Sequence, residues 1–507
     1  MGRSDGTSTF KVFATTGLVV FATAPVAYYA LFETSRQLAI RKRRKQYERV
    51  LSTLSTSDSS SIESNTLSSA HVQAITARYS PLIIAGRFAN PFPEWSSPEA
   101  LGCLEWLFWR IIYQPLSGRL FWNGGLPSRN ERERLVDDLP VEKVDFVRLF
   151  GRDLVSSLGL GSVQWAQNLL GGGADEKGLT GWPSRTLPGS EGVSPDRRDV
   201  EQLDGSWSHI GEEDVKSGTG TPATASREWE VKVNHAEIGE ELSFTWIGQS
   251  TCFVQLEGLN ILTDPIFSYR TLDTIAAPAR LRPPACPLSS LAAIDVVLVS
   301  HSHIDHLDAS SVDHLGNQVE WIVPLGLGDW FRRKGIYRVR ELTWWGSTKV
   351  YATRPDGTRN EIEIVATPAM HWTARNLFDT NRSLWCSFVV RGKKDSFFHA
   401  GDTGFTTAFD AIGELYGPIT LAAIPIGSYR PRWHLNSIHT DPEGAVRIHQ
   451  SVKAVHSIGV HWGTYILSDE RYDDPPKDLA IARHKLGLAE DAFSVVPVGR
   501  TLVYPST

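Results

Sequence analysis

Hydrophobic and polar positions change rhythm several times along the chain. Residues 12–32, VFATTGLVVFATAPVAYYALF, carry no charge, and a run of about that length crosses a bilayer as a helix. Gly17 and Pro25 are tolerable inside such a helix. The strongly basic stretch RQLAIRKRRKQYER follows after three residues. Cationic flanks stay on the side from which they are made, so this block and all that follows are expected on the cytosolic or matrix face. A cleaved signal peptide fits poorly, because its charges would precede the apolar run. MGRSDG also misses the myristoylation pattern, since Gly6 stands where a hydroxyl residue is needed. The Ser-rich stretch 51–69 reads as the main part of a flexible linker. Residues 101–116, LGCLEWLFWRIIYQPL, are rich in aromatic and branched residues, yet Glu105 and Arg110 argue against a second span. That segment is expected to be a core helix or one that dips into a membrane interface. Residues 171–228 keep no apolar period and read as a disordered insertion.

From about residue 229 the pattern becomes that of strands. LSFTWIGQSTCFVQLEGLNILTDPIF alternates apolar runs with Gly turns. IDVVLVS, EWIVPLG, IEIVATPA, SLWCSFVVR, DSFFHAGD, LAAIPIG and FSVVPVG follow as further strand candidates. Helix-like segments lie between them, among them GDWFRRKG and DPEGAVRIHQSV. The second has Asp441 as N-cap, Pro442 in the first helical position and Glu443 in the first turn. Many strands with interspersed helices predict an α/β protein with helices covering a layered sheet core. The expected organisation is an N-terminal membrane anchor with its basic flank (1–50), a linker (51–75), an N-terminal part of the main domain (76–170), the insertion (171–228) and the catalytic domain (229–507).

Composition adds exclusions. The chain has 507 residues, 41% hydrophobic and 21% charged, with a net charge of -6. That balance suits a globular protein and gives no sign of a nucleic-acid partner. Four scattered cysteines, Cys103, Cys252, Cys286 and Cys386, match neither a zinc ribbon nor a disulfide framework. They suit a reducing compartment.

The chemistry concentrates in HSHIDHLD, residues 301–308, directly after the apolar IDVVLVS. His301 and His303 stand two apart and can aim at one metal ion, while Asp305 and His306 follow on the next bend and can face a second. Zinc takes imidazole nitrogen and carboxylate oxygen, and a catalytic zinc keeps a position open for water. Downstream strand ends offer His371 in TPAMHW, Asp402 in FHAGDTGF and His461 in SIGVHWGTY. The expected centre holds two Zn2+ per chain. His301, His303 and His371 surround one ion, Asp305, His306 and His461 surround the other, and Asp402 bridges. Such a pair clamps a hydroxide and lowers its pKa, which makes a nucleophile at neutral pH.

H-x-H-x-D-H followed by single His, Asp and His resembles the metallo-β-lactamase superfamily over roughly residues 240–505. The resemblance implies an αββα sandwich with the site at one edge. It also makes Asp264, in LTDP, a residue that orients the metal loop from behind. TWIGQST, LTDPIFS, RLRPP, HSHIDHLD, GDTGF, IGSYRPRW and HTDPEGAVRIH together resemble the N-acyl-phosphatidylethanolamine-hydrolysing phospholipase D family, as does GRFANPFPEW at 86–95. This implies a zinc enzyme that releases N-acylethanolamine and phosphatidic acid from a membrane phospholipid. The seven ligands match the family's ligands position by position, and His439 matches a histidine near the family's substrate site. Catalytic roles are expected for Asp305, orienting the hydroxide, and for His439, positioning the phosphate or protonating the leaving alkoxide. Trp372 and Trp462 follow ligands and could wall the pocket or simply pack. The N-terminal run, the linker and the insertion depart from the animal members. The expected setting is a mitochondrial or endomembrane surface, with a phospholipid as substrate and no nucleic acid as partner; the chain could also pair as a homodimer. Two rival readings remain open: another hydrolase of this fold, such as a sugar-phosphate lactonase or phosphodiesterase, and a non-catalytic, membrane-tethered metal-binding protein.

Overall fold

The computed structural model describes Tyr28, residues 30–53, 67–95, parts of 134–149, 229–232 and most of 241–504. All of these belong to one unit, 1–160 with 228–507. Most of the apolar run 12–32, the aromatic segment 101–116 and the insertion 171–228 lie outside the described residues. Among the described residues no helix is long and apolar enough to cross a membrane. The stretch expected as a linker over 51–75 differs at both ends. Helix α1 spans residues 30–53, and α2 (Ser69–Arg78) begins where the Ser68 side chain accepts a hydrogen bond from the His71 N–H. A serine that reads as low complexity is thus an N-cap.

A hairpin of β1 (Leu82–Ile84) and β2 (Arg87–Ala89) follows α2. The remaining strands are β3 (Trp229–Lys232), β4 (Leu242–Gly248), β5 (Thr251–Leu256), β6 (Leu259–Thr263), β7 (Val296–Leu298), β8 (Glu320–Pro324), β9 (Val339–Leu342), β10 (Ser347–Thr353), β11 (Arg359–Thr367), β12 (Ser387–Arg391), β13 (Ser396–His399), β14 (Ile419–Pro425), β15 (Ala454–Val460), β16 (Phe493–Ser494) and β17 (Thr501–Tyr504). They form two large sheets, ordered β17-β4-β5-β6-β7-β8-β9 and β16-β15-β14-β13-β12-β11-β10-β3. In each, antiparallel hairpins give way to parallel strands at β6–β7 and at β13–β14. Glu257 and Gly258 both take positive φ, 52° and 78°, the conformation of a tight hairpin turn.

Every residue of β4, β5 and β6 is buried, as expected for strands covered on both faces. Phe244, Val254 and Ile261 meet Ile364, Phe388 and Phe397 of the facing sheet in one apolar core. Helices α3 (Ala309–Leu315) and α4 (Gly328–Arg333) accompany the first sheet, and Phe331 of α4 packs on Trp321 of β8 at 4.9 Å between ring centroids. On the second sheet, α5 (Ala408–Tyr416), the short α6 (Arg432–Leu435), α7 (Pro442–Ser451) and α8 (Asp474–Leu486) follow. Phe409, Val446 and Leu479 cover Ile424 and Ala422 there. This is the αββα sandwich that the sequence implied. The α7 start is as read, with Asp441 Oδ1 accepting from the Gly444 N–H at 2.8 Å. FSVVPVG departs from expectation, since only Phe493 and Ser494 pair as a strand. Pro497 has no N–H to give a ladder.

Candidate metal centre

The site forms where strands end. Asp264 follows β6, the loop 301–306 follows β7, His371 follows β11, Asp402 follows β13 and His461 follows β15. Strand ends at one edge of a sandwich present loops held by a rigid core, which is what a metal site needs. The backbone is strained around it. Gln249, Asp264, Ser428 and His461 take positive φ of 53°, 37°, 64° and 60°, a conformation costly for residues with a Cβ. Gly401, at φ 59°, passes so close to the metal loop that an added Cβ would lie 2.6 Å from Ser300 Cβ.

The seven expected ligands converge as two groups. His301 Nε2 lies 2.9 Å from His303 Nδ1, and His371 Nε2 lies 3.1 Å from that same atom. In the second group His306 Nε2 is 3.1 Å from His461 Nε2, 3.0 Å from Asp402 Oδ2 and 3.5 Å from Asp305 Oδ2. Asp305 Oδ2 and Asp402 Oδ1 stand 3.3 and 3.2 Å from His461 Nε2. Asp402 Oδ2 also lies 3.8 Å from His301 and 3.8 Å from His371, so this carboxylate sits between the groups. Nitrogens bound 2.0–2.1 Å from one tetrahedral ion stand roughly 3.3 Å apart. The observed spacings are therefore those of ligands around an ion.

Hydrogen bonding supports the same fit. His371 Nδ1 contacts the Ile438 carbonyl at 2.7 Å, and His306 Nδ1 contacts Asp264 Oδ2 at 2.9 Å. Both partners only accept, so each Nδ1 carries a proton and Nε2 is the atom left to face a metal ion. Burial lowers the pKa of His301 far below the usual range, that of His303 to about 4 and that of His371 to about 3. These rings are neutral donors at pH 7. Burial opposes protonation of His306 and His461 too, but Asp402 and Asp305 outweigh it, raising His306 well above its ordinary value and His461 to about 9. Burial likewise works against ionised Asp402 and Asp305, yet the neighbouring His306 and His461 hold both carboxylates ionised. The second group thus calls for positive charge, which a divalent cation supplies with both rings neutral.

Asp264 stands behind the loop. Parallel pairing of β6 with β7 sets Thr263 beside Leu298, which brings Asp264 to Ser300. Its Oδ1 accepts from the Ser300 N–H at 2.6 Å; its Oδ2 accepts from Ser300 Oγ, His306 Nδ1 and His399 Nε2 at 2.7, 2.9 and 2.8 Å. Two contributors escaped the sequence reading. His399, at the end of β13, is fully buried and closes the hydrogen-bond set of Asp264. Gln249 Nε2 donates to Asp305 Oδ2 at 2.9 Å. Position before the ligand-bearing GD turn was the one available signal for His399; for Gln249 it was a place in TWIGQST, a stretch that already carried the resemblance. His439 lies on the open side, its side chain 14% exposed and its Nδ1 3.8 Å from Asp402 Oδ2. Trp372 meets the His303 ring edge-on at 4.6 Å, whereas Trp462 stacks on Trp246 at 5.5 Å. The first borders the site and the second packs.

Comparison with known proteins agrees with this geometry. A model described as the beta-lactamase superfamily domain matches residues 259–462. The chain is 42% identical over 254 residues to "N-acyl-phosphatidylethanolamine-hydrolyzing phospholipase D 1" of Caenorhabditis elegans, covering 48% of this chain and 69% of that protein. It is 39% identical over 241 residues to the mitochondrial protein of the same description in Saccharomyces cerevisiae, covering 46% of this chain and 50% of that one. A solved metallo hydrolase from Ignicoccus hospitalis aligns with 52% of this chain and 98% of its own at 21% identity and a TM-score of 0.39, a likeness too loose to carry weight.

Proposed function

This chain belongs to the N-acyl-phosphatidylethanolamine-hydrolysing phospholipase D family of the metallo-β-lactamase superfamily, and on that premise we propose that it is a zinc-dependent phospholipase D. Its substrate is N-acyl-phosphatidylethanolamine, and its products are N-acylethanolamine and phosphatidic acid. The observation that carries this reading is the convergence of two ligand groups on Asp402, with His439 at the open side.

His301, His303 and His371 would hold one divalent ion and Asp305, His306 and His461 the other, with Asp402 shared. Ions held there would lower the pKa of a water molecule and offset charge developing on the phosphoryl oxygens. Asp305, itself fixed by Gln249, orients the attacking water. His439 positions the phosphate, and Trp372 borders the entry. Water attacks phosphorus, which keeps the diacylglycerol oxygen while the N-acylethanolamine oxygen leaves and takes a proton. Hydrolysis in water enriched in heavy oxygen is therefore expected to label phosphatidic acid. Label in the amide alcohol, or free fatty acid as main product, means that a different bond is cut. His439→Ala is expected to keep the metal content and lower turnover about a hundredfold; loss of metal would make it a ligand instead.

A membrane setting belongs to the same reading, supported by the uncharged run 12–32 and its basic flank. A mitochondrial address is supported by the name of the yeast relative. The full chain is expected to resist carbonate extraction from mitochondrial membranes, and deletion of residues 1–27, which spares helix α1, to release much of it. Full release of the intact chain would overturn this placement.

A further inference from the structure

Helix α1 divides into two faces. At about 100° per residue, Phe32, Arg36, Arg43 and Tyr47 share one side, and this side is fastened to the domain. Arg36 is 2% exposed, pairs with Glu33 at 2.7 Å and donates to the carbonyls of Asn90 and Phe92 at 3.1 and 2.9 Å. Arg43 donates to the carbonyls of Ser80 and Pro81 at 2.6 and 3.1 Å. Tyr47 packs against the main core, with the Arg78 guanidinium 4.7 Å from its ring centroid.

The opposite side is built differently. Leu31, Leu38, Arg41, Lys42, Lys45 and Arg49 fall within about a 100° arc of the helix surface, and all six are exposed. Leu31 and Leu38 are 70% and 61% exposed. None of the four cations has an acidic partner among the described residues, whereas neighbouring Arg44 is paired with Glu48 at 2.8 Å. Unpaired cations gathered on one face run against the chain's overall charge of -6. A merely solvated face does not need two exposed leucines in line with them. Nucleic acid would match the cations and not the leucines. An apolar segment leading into a cationic one fits a bilayer interface, with leucines toward the acyl boundary and cations at the headgroups.

We infer that this face of α1 binds the surface of an anionic phospholipid bilayer. The helix does so as a rigid part of the catalytic domain, not as a loose tether. The link to the site is short: Arg36 holds the Asn90 carbonyl, and Asn90 Nδ2 donates to the carbonyl of His371 at 2.8 Å. Lipid contact through α1 therefore sets how the metal centre faces the membrane. The inference rests on the reading that the substrate lies in a membrane, but it can fail separately.

Residues 12–27, as part of a span, would hold the full chain on either vesicle, so the test is flotation of the chain from Tyr28 onward, which keeps helix α1 whole, with vesicles of phosphatidylcholine alone or with about one third phosphatidylserine. At low salt this chain is expected to float at least about tenfold more with the anionic vesicles, and roughly 0.5 M salt should remove the difference. With R41Q/K42Q/K45Q/R49Q added it is expected to show no preference between the two vesicles, at an unchanged melting temperature. Equal flotation of the unsubstituted chain with both vesicles, or an unchanged preference in the variant, overturns the inference. Cleavage of N-acyl-phosphatidylethanolamine in uncharged detergent micelles, measured alongside, reports on the proposed activity independently: its absence defeats that activity and leaves the flotation result standing.

Discussion

Replacement of Asp402 by asparagine is expected to lower turnover by at least about a thousandfold, the scale of losing a main electrostatic stabiliser of a reaction. Metal content should fall with it. Asp402 is 3% exposed and stands between both ligand groups, 3.0 Å from His306 Nε2 and 3.2 Å from His461 Nε2. Asparagine keeps the volume and one oxygen but removes the negative charge that both ions would share. The loss is therefore one of charge and not of packing, and the circular-dichroism spectrum should not change. Elemental analysis beside a turnover assay checks the prediction. A variant with two ions per chain and near wild-type turnover would show that Asp402 does not bridge.

Asp264→Asn is expected to cost about 3–5 kcal/mol of stability, the range for breaking a buried ionic network from one side, and to weaken metal binding about 10–100-fold. Four donors converge on this fully buried carboxylate. An asparagine turns an N–H₂ toward some of them, leaving donor facing donor. Burial works against the ionised form, yet His399 and His306 bring its pKa down to about 2. A group whose folded pKa lies below its unfolded value stabilises above the unfolded value and loses that contribution as pH falls. The stability gap between wild type and variant should be full above about pH 4 and should narrow toward about pH 2. Denaturant unfolding at several pH values measures it; a gap independent of pH would mean that the charge is not what matters.

The readable part of this protein was local. Apolar runs such as LSFTWIG, the N-cap at Asp441 and the contiguous HSHIDHLD loop each lie within a few residues, where strand and cap preferences act. The strands β9 and β10 escaped notice because charged residues interrupt them, and β17 because it is only four residues long. Arg340, Glu341 and Lys349 suit one partly exposed face, and only pairing with a neighbour makes these segments strands. Likewise the ends of the Ser-rich stretch 51–75 read as linker until Ser68 is seen to cap α2.

By itself the sequence determined the chemistry: which side chains are metal-grade, that several follow apolar runs, and that the α/β pattern can carry them to one edge. The grouping expected from the sequence, His371 with His301 and His303 and His461 with Asp305 and His306, is brought about only by the tertiary structure, across separations that local patterns do not span. The register of β6 against β7 puts Asp264 against Ser300, and the long return from β13 delivers His399 to that same carboxylate. Helix α1 shows the same division. Its basic composition was plain, but which cations are spent on the domain and which face outward depends on carbonyls of Ser80, Asn90 and Phe92. Side-chain type is a property of one residue, while its role is set by partners that the chain brings near through sheet register and crossover connections, and those are fixed by packing of the whole core.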